Sequence, residues 1–228
     1  MRNLIMLFAI ILSGCSVPDM FFNPPENRGH IIDGINDFKK EQVAGLDQNG
    51  DISEKSLDLD TLWGFIDDTL LYIGFNAYVD ENYGLSYGIY IFPDSIFNSG
   101  ATSDPWNRNV FFTKTGNDTI FPPFIIYFWH DGNNHSITSA QFISFNGNWN
   151  YEGISSENYN FNRKNHFIEI MIPISKIGNP DSVFVEVFTT GSEHSHPQDT
   201  SPEDQYVQFS NPDWSDTKIP LSTCGKIK

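Results

Sequence analysis

A series of short apolar runs separated by turn residues constrains the fold more than any other feature of the chain. The runs are rich in β-branched and aromatic residues, while glycine, asparagine, aspartate and proline fill the gaps, as is typical of strands joined by turns. In 70–79, apolar side chains recur at every second position from Leu71 to Ala77. This period of two predicts a strand with two different faces. The predicted strands are 61–66, 70–79, 85–92, 110–114, 123–129, 139–145, 167–173 and 183–190.

The predicted fold class is all-β. We find no convincing amphipathic-helix pattern, and only 38–43 suits a single helical turn. A chain of 228 residues fits one all-β domain. About eight to ten short strands at this spacing indicate a single antiparallel β-sandwich, jelly-roll-like in type.

The N-terminus is typical of a secreted protein. Arg2 precedes the apolar run 4–12, which is too short to span a membrane but suits a cleaved signal peptide. The sequence Leu12-Ser13-Gly14-Cys15 resembles the lipobox of bacterial lipoproteins. That resemblance implies cleavage before Cys15 and attachment of acyl chains such as palmitate to its sulfur. The alternative is an ordinary secretory signal with Cys15 close to the new terminus by chance.

We therefore divide the chain into a cleaved lipoprotein signal peptide (1–14), a lipidated cysteine with a proline-rich tether (15–30) and the β-sandwich domain (31–228). The domain is expected at the cell envelope, extracytoplasmic and held to the membrane by its N-terminal lipid. Ser16 follows the cysteine, which indicates the outer membrane if the cell is Gram-negative. With Cys15 lipidated, Cys224 lacks an intramolecular partner, so no disulfide is predicted.

The charge balance excludes one class of partner. The chain has 29 Asp and Glu against 13 Lys and Arg, for a formal charge of −16. Binding to phosphate backbones requires clustered basic residues, so we expect no nucleic-acid partner.

One acidic segment has the pattern of a cation-binding loop. Asp47, Asn49 and Asp51 place oxygen-bearing side chains at alternate positions, with Gly50 for a tight turn. Calcium requires several oxygen ligands, so we predict that these three residues, completed by Asp58, hold a structural calcium ion. The segment is not an EF-hand, because Asp58 stands where the terminal glutamate is required. A surface turn rich in aspartate and asparagine, without an ion, is the alternative.

Tryptophans supply candidates for a ligand-binding surface. Flat aromatic rings stack on sugar rings, and nearby polar groups bind the hydroxyls. Trp106 and Trp149 adjoin polar loops, Arg108 lies two positions after Trp106, and Trp129 ends a predicted strand. We predict these four residues to bind the ligand. Packing against the core is the alternative for each tryptophan.

Glu169 and Glu186 each stand within an otherwise apolar strand and share a face with aromatic residues. We expect those faces to meet solvent, so the two acids join the predicted ligand-binding residues. Paired carboxylates also catalyse glycoside hydrolysis when they lie about 5–5.5 Å or 6.5–9.5 Å apart. Nothing else in the chain is typical of a hydrolase, so we predict no enzymatic activity and no catalytic residue.

Several segments, taken in order, resemble the β-sandwich of family-9 carbohydrate-binding modules. Ile32-Asp33-Gly34 with Asp37-Phe38 resembles the first segment of that family, and 58–75 resembles its second and third strands. The order Phe-x-Glu-x-x-Ile-Pro at 167–173 resembles its penultimate strand. Phe38 departs from the family, which has tryptophan there.

The middle of the chain is most similar to the subgroup at the C-terminus of glucodextranases and amylopullulanases. Pro105-Trp106-Asn107-Arg108 resembles its Trp-x-Arg element, and 123–127 resembles the next strand, with Phe124 in place of aspartate. A hairpin at 140–149 and a turn at 199–202 follow in the same order. The similarity covers about residues 31–210 and implies a sandwich fold, sugar binding and, in some relatives, structural calcium.

The sequence thus predicts a non-catalytic, carbohydrate-binding lipoprotein of the cell envelope, with a glycan as its partner and calcium as its one cofactor. The main alternative is a structural or assembly lipoprotein that binds a neighbouring envelope protein. A glycoside hydrolase is the third hypothesis.

Overall fold

The computed structural model describes residues 30–78, 84–93, 100–101, 103–113, 119–120, 122–191 and 194–228. The predicted signal peptide, Cys15 and the tether as far as residue 29 lie outside the described residues. Within the described part of the chain, no helix is long and apolar enough to cross a membrane.

The described residues form fifteen β-strands, and each of the eight runs predicted from the sequence overlaps one of them. Val79 and Lys114, at the ends of two predicted runs, lie outside the described residues. The strands are β1 (Val43–Leu46), β2 (Thr61–Ile66), β3 (Leu70–Asn76), β4 (Leu85–Pro93), β5 (Val110–Thr113), β6 (Thr119–Ile120), β7 (Phe124–Asp131), β8 (Ser136–Phe145), β9 (Trp149–Gly153), β10 (Tyr159–Asn162), β11 (Phe167–Pro173), β12 (Val183–Thr190), β13 (Pro197–Ser201), β14 (Ile219–Leu221) and β15 (Gly225–Ile227). Short 3-10 helices lie at Lys40–Gln42 and Ile174–Ile177.

The strands make three sheets. The first sheet has the order β1-β2-β3-β11-β10, and the second has the order β13-β12-β4-β7-β8-β9, with β15 also paired to β12. Neighbours in both are antiparallel. The third sheet is small, with the order β14-β5-β6, and its β14–β5 pair is parallel.

The predicted all-β sandwich is confirmed. The first and second sheets pack face to face over one apolar core, to which alternate residues of β3, β4, β7, β11 and β12 contribute. In β3 the inward residues are Leu71, Ile73 and Phe75, as their period of two predicts. The sequence predicted about eight to ten strands. The additional strands are mostly short or polar, such as β9, β10 and β13, and carry little apolar signal.

The outer faces of both sheets are also covered, which the sequence did not predict. On the first sheet, Tyr72 and Met171 pack against Ile32 and Phe38 of the N-terminal segment 30–38. On the second sheet, an outer cluster that includes Tyr90 and Phe188 packs against β5, β14 and the C-terminal segment. Strands that look half-buried in sequence are therefore buried on both sides.

The domain begins slightly earlier than predicted. His30, which we had assigned to the tether, is 6% exposed and lies against the first sheet. Its imidazole ring contacts the rings of Phe38, Phe65 and Tyr72.

Candidate functional site

The segment 103–109, a loop that leads directly into β5, carries two of the predicted ligand-binding residues. Asp104 is buried at its start, and one carboxylate oxygen accepts hydrogen bonds from the backbone N–H groups of Trp106 (2.8 Å) and Arg108 (3.2 Å). The other oxygen accepts from the hydroxyls of Tyr90 (3.0 Å) and Tyr127 (2.7 Å) on the second sheet. Because four donors converge on one buried carboxylate, the position of Trp106 and Arg108 is set by the sheet beneath them.

Three aromatic rings meet above this loop. The Trp106 ring lies 5.6 Å from that of Trp129 and 5.6 Å from that of Tyr151, in edge-to-face geometry with each. Trp106 and Tyr151 are exposed, and Trp129 is partly buried. Tyr151 was not among the predicted ligand-binding residues. It lies two positions after Trp149 in β9, so the alternation of the strand could have placed it on the face that Trp149 shares.

Trp106 and Trp129 border a surface pocket of about 320 Å³. Its polar lining comes from Ser86 at the start of β4, from His130 at the end of β7, and from Arg108. This volume lies at the lower end of the range of about 300–1,000 Å³ that small-molecule sites occupy. Aromatic walls with a few convergent polar groups suit a sugar, whose apolar C–H face and hydroxyls need both.

A fourth aromatic ring stands beside the pocket. Gly191 also lines the pocket. The Trp214 ring packs on this glycine so closely that a Cβ added at residue 191 would lie 2.8 Å from a ring carbon. The Trp214 side chain is 49% exposed. It therefore lies over Gly191 at the edge of the pocket, and the absence of a side chain at residue 191 makes this contact possible.

Trp149, also predicted to bind ligand, does not line the pocket. Its ring packs edge-to-face on Phe145 at 5.0 Å and against the outer cluster of the second sheet. Trp149 therefore packs against the core, which was the alternative prediction for this residue.

The predicted cation loop gathers a different set of acids from the one expected. Asp47 and Asp51 lie with Asp199 of β13, and one carboxylate oxygen from each residue lies within 4.8 Å of the others. Both oxygens of Asp47 and one of Asp51 are buried and accept no hydrogen bond from the described residues. Such orphaned oxygens fit a hard cation, which would supply the missing positive charge.

The environment of this cluster disfavours three ionised carboxylates without a cation. Burial, reinforced by Asp51, raises the pKa of Asp47 to about 8. Burial, reinforced by Asp47, raises the pKa of Asp199 to about 9. Asp199 also accepts hydrogen bonds from the backbone N–H groups of Leu59 (2.6 Å) and Thr200 (2.9 Å), which fix its orientation.

Asp58 and Asn49, the other two residues of the predicted calcium site, are not part of this cluster. Both oxygens of Asp58 accept from the backbone N–H of Gly50, at 2.8 and 3.0 Å, so this buried carboxylate holds the loop closed. Asn49 is exposed at the tip of the turn, next to Gly50 with its φ of +83°. Asp199 could not be inferred from the loop pattern, since it lies some 140 residues away in sequence.

The expectation that Glu169 and Glu186 face solvent is wrong. Both are 0% exposed. Residues on either side of each acid point into the core between the sheets, so the two carboxylates lie on opposite outer faces of the sandwich. They line no common cleft, and the pair cannot supply the two carboxylates of a glycosidase.

Glu169 is enclosed by the N-terminal segment. One of its oxygens lies 3.0 Å from His30 Nε2, and the other accepts from the backbone N–H groups of Asp33 (3.1 Å) and Gly34 (2.7 Å). The second ring nitrogen of His30 lies 2.8 Å from a carboxylate oxygen of Asp37. These contacts clamp the segment 30–38 onto the first sheet.

Glu186 lies beneath the C-terminal segment, and neither of its oxygens has a hydrogen-bond partner among the described residues. Burial, reinforced by Asp204, raises the pKa of Glu186 well above its usual value. The folded protein therefore favours the neutral, protonated form of this side chain up to a higher pH than the unfolded chain does.

Glu186 should make stability fall as the pH rises. Its pKa is raised in the folded state, so the native protein retains a proton that the unfolded chain releases above about pH 4.5. Its contribution is complete below that pH and declines by about 1.4 kcal/mol per pH unit until the folded-state pKa is reached. Glu186→Gln, which cannot ionise, should therefore gain stability relative to the wild type as the pH rises above about 4.5.

Urea unfolding at several pH values measures this difference. Glu157→Gln, which changes an exposed glutamate, is the matched control and should follow the wild-type pH profile. Parallel profiles for Glu186→Gln and the wild type would contradict the assignment.

Fold and geometry together define an antiparallel β-sandwich with an aromatic-bordered surface pocket and, separately, a buried acidic cluster. The chain matches no protein-family model. A search of curated proteins likewise finds no significant match.

Proposed function

We propose that the protein is a non-catalytic glycan-binding lipoprotein of the bacterial cell envelope, and that its sugar site is the pocket beside Trp106 and Trp129. The observation that carries this proposal is the meeting of the two indole rings, 5.6 Å apart, with the polar groups of Ser86, Arg108 and His130 in one pocket. The buried carboxylate of Asp104 holds the loop in place before a ligand arrives, which reduces the entropy lost on binding.

The attachment to the envelope is part of the same proposal. It rests on the apolar run 4–12 and the lipobox ending in Cys15. Lipid attached to Cys15 would hold the domain at the membrane surface, with residues 16–29 as the connecting segment. Metabolic labelling with an alkyne-bearing palmitate analogue tests it: the wild type should be labelled, and Cys15→Ala should not.

A glycan array, followed by affinity electrophoresis on the glycans retained, tests the sugar site. Trp106→Ala should weaken binding by roughly 30-fold, because an aromatic anchor of this kind contributes about 2 kcal/mol. Trp149→Ala is the matched control, since its ring lies outside the pocket, and it should retain wild-type affinity. If folded wild-type protein binds no glycan and captures one stoichiometric envelope protein, the assembly alternative replaces this proposal.

We propose a second role for the acidic cluster, as a site for one structural calcium ion held by Asp47, Asp51 and Asp199. Support comes from the oxygens of Asp47 and Asp51 that are buried without partners. By joining the loop that follows β1 to β13, the ion would stabilise the place where these two segments meet.

Calcium at about 100 times its Kd should raise the melting temperature by roughly 5–10 °C, since such saturation adds about 2.7 kcal/mol to the stability of a domain of this size. The gain should be larger near pH 9 than near pH 6, because the cation must displace the protons that the raised pKa values retain. Asp199→Asn should abolish the gain. Asp68→Asn, which removes an exposed carboxylate, should preserve it, and an unchanged melting temperature with calcium would refute the site.

A further inference from the structure

We propose that the pocket selects sugars that carry a carboxylate, and that this group pairs with the guanidinium of Arg108. The inference rests on the proposed glycan-binding function and specifies the class of glycan. It is based on Arg108, a buried side chain that lines the pocket and is only 7% exposed.

Arg108 is a buried cation with incomplete hydrogen bonding. Its Nη2 donates to the Ser86 hydroxyl at 3.0 Å, and its guanidinium carbon lies 5.7 Å from the centre of the Tyr127 ring. Nε and Nη1 donate to no described residue. Leaving a buried charge without a partner costs several kcal/mol, so such groups are normally paired.

The nearest acid along the loop does not serve as that partner. Asp104 directs one oxygen to two backbone N–H groups and the other to two tyrosine hydroxyls. Among the described residues, no carboxylate oxygen lies within 4.0 Å of the Arg108 guanidinium. The pocket therefore contains a cation that forms no ion pair within 4.0 Å with any described residue.

A carboxylate compensates the charge of Arg108 better than a hydroxyl does. Nε and Nη1 are buried as well as unpartnered, so a carboxylate would reach them when the guanidinium turns toward the pocket. The planar guanidinium then offers parallel N–H donors that match the two oxygens of a carboxylate, and such charge-assisted pairs are about twice as strong as neutral hydrogen bonds. A neutral sugar would bring acceptors to Arg108 but would leave its charge uncompensated. Uronic acids combine the required carboxylate with a ring face for Trp106 or Trp129.

The acidity of the whole chain opposes this preference only at long range. A formal charge of −16 repels anions, but salt screens exposed charges beyond about 8 Å at physiological ionic strength. A contact pair inside the pocket is screened less. The preference for an acidic sugar should consequently persist as salt is raised, even if association slows at low salt.

The test compares ligands that share a sugar backbone and differ in whether they carry a carboxylate. Isothermal titration of the full chain in detergent would use trigalacturonate against its methyl ester, and a glucuronate trimer against cellotriose. The acidic member of at least one pair should bind about tenfold to a hundredfold more tightly, the range expected for hydrogen bonds to a charged group. Arg108→Gln should remove that preference, and Arg108→Lys should retain part of it. Trp106→Ala should weaken both members of the pair equally.

The comparison on wild-type protein decides the matter even if the Arg108 variants fail to fold. Equal or weaker binding of the acidic member in both pairs, with any neutral glycan bound, overturns the selectivity and leaves the glycan-binding proposal intact. No binding to either pair or to a broad glycan array overturns both.

Discussion

Glu169→Ala is expected to lower the free energy of unfolding by about 3–5 kcal/mol, the range seen when one partner of a buried charged network is removed. The substitution would leave His30 Nε2 and the backbone N–H groups of Asp33 and Gly34 without their acceptor. It would also free Phe38, whose ring lies so close over Gly74 that an added Cβ there would come within 2.4 Å. Urea unfolding followed by circular dichroism measures the loss.

Asp37→Asn is the control for this prediction. Asp37 contacts the other nitrogen of the same imidazole, but its side chain is 51% exposed, so the change should reduce stability by less than about 1 kcal/mol. Limited proteolysis should cut the segment 30–38 in Glu169→Ala and spare it in Asp37→Asn. A loss below about 1 kcal/mol for Glu169→Ala would mean that the clamp does not hold the segment.

The clamp also bears on the proposed membrane attachment. The segment 30–38 is where the described domain begins, on the side of the chain that leads back to Cys15. Under that proposal, any pull on the lipid anchor reaches the sandwich through the contacts of Glu169 and Phe38. A weakened clamp would then lengthen the tether by several residues without unfolding the sheets.

Asp104→Ala is expected to destabilise the protein by on the order of 4 kcal/mol, because four buried donors lose their acceptor and each such loss costs about 1–3 kcal/mol before relaxation. The loop should also become mobile, since the backbone N–H groups of Trp106 and Arg108 are no longer held. The proposed glycan binding should be lost although Asp104 does not line the pocket. Acrylamide quenching of tryptophan fluorescence reports the loop without any ligand.

Tyr127→Phe tests the oxygen of Asp104 that faces the sheet separately from the oxygen that holds the loop. It removes one donor to the oxygen that faces the sheet but keeps the ring beside Arg108 and leaves the other oxygen bonded to the loop. We expect a loss of about 1 kcal/mol with unchanged quenching and unchanged binding. If Asp104→Ala leaves quenching at the wild-type value, the loop is held by other contacts and this account of the pocket is wrong.

Much of the site could be predicted from residues that are close in sequence. Trp106 and Arg108 belong to one short loop, and Trp129 ends a predicted strand. All three could therefore be chosen as ligand-binding candidates from the sequence alone. Tyr151 and Trp214 were harder to assign, because only the fold brings β9 and the C-terminal segment next to that loop. Asp199 joins Asp47 and Asp51 for the same reason.

The sequence by itself determined the all-β class, the position of the eight main strands and which residues share a strand face. These follow from local rules: the side-chain period of two and the turn preferences of glycine, proline, asparagine and aspartate. Only the tertiary structure decided what covers each face. Glu169 and Glu186 lie on outer faces as the alternation requires, but distant segments from the two ends of the chain bury them. The alternation of a strand fixes which side chains point together and carries no information about the segments that pack over them.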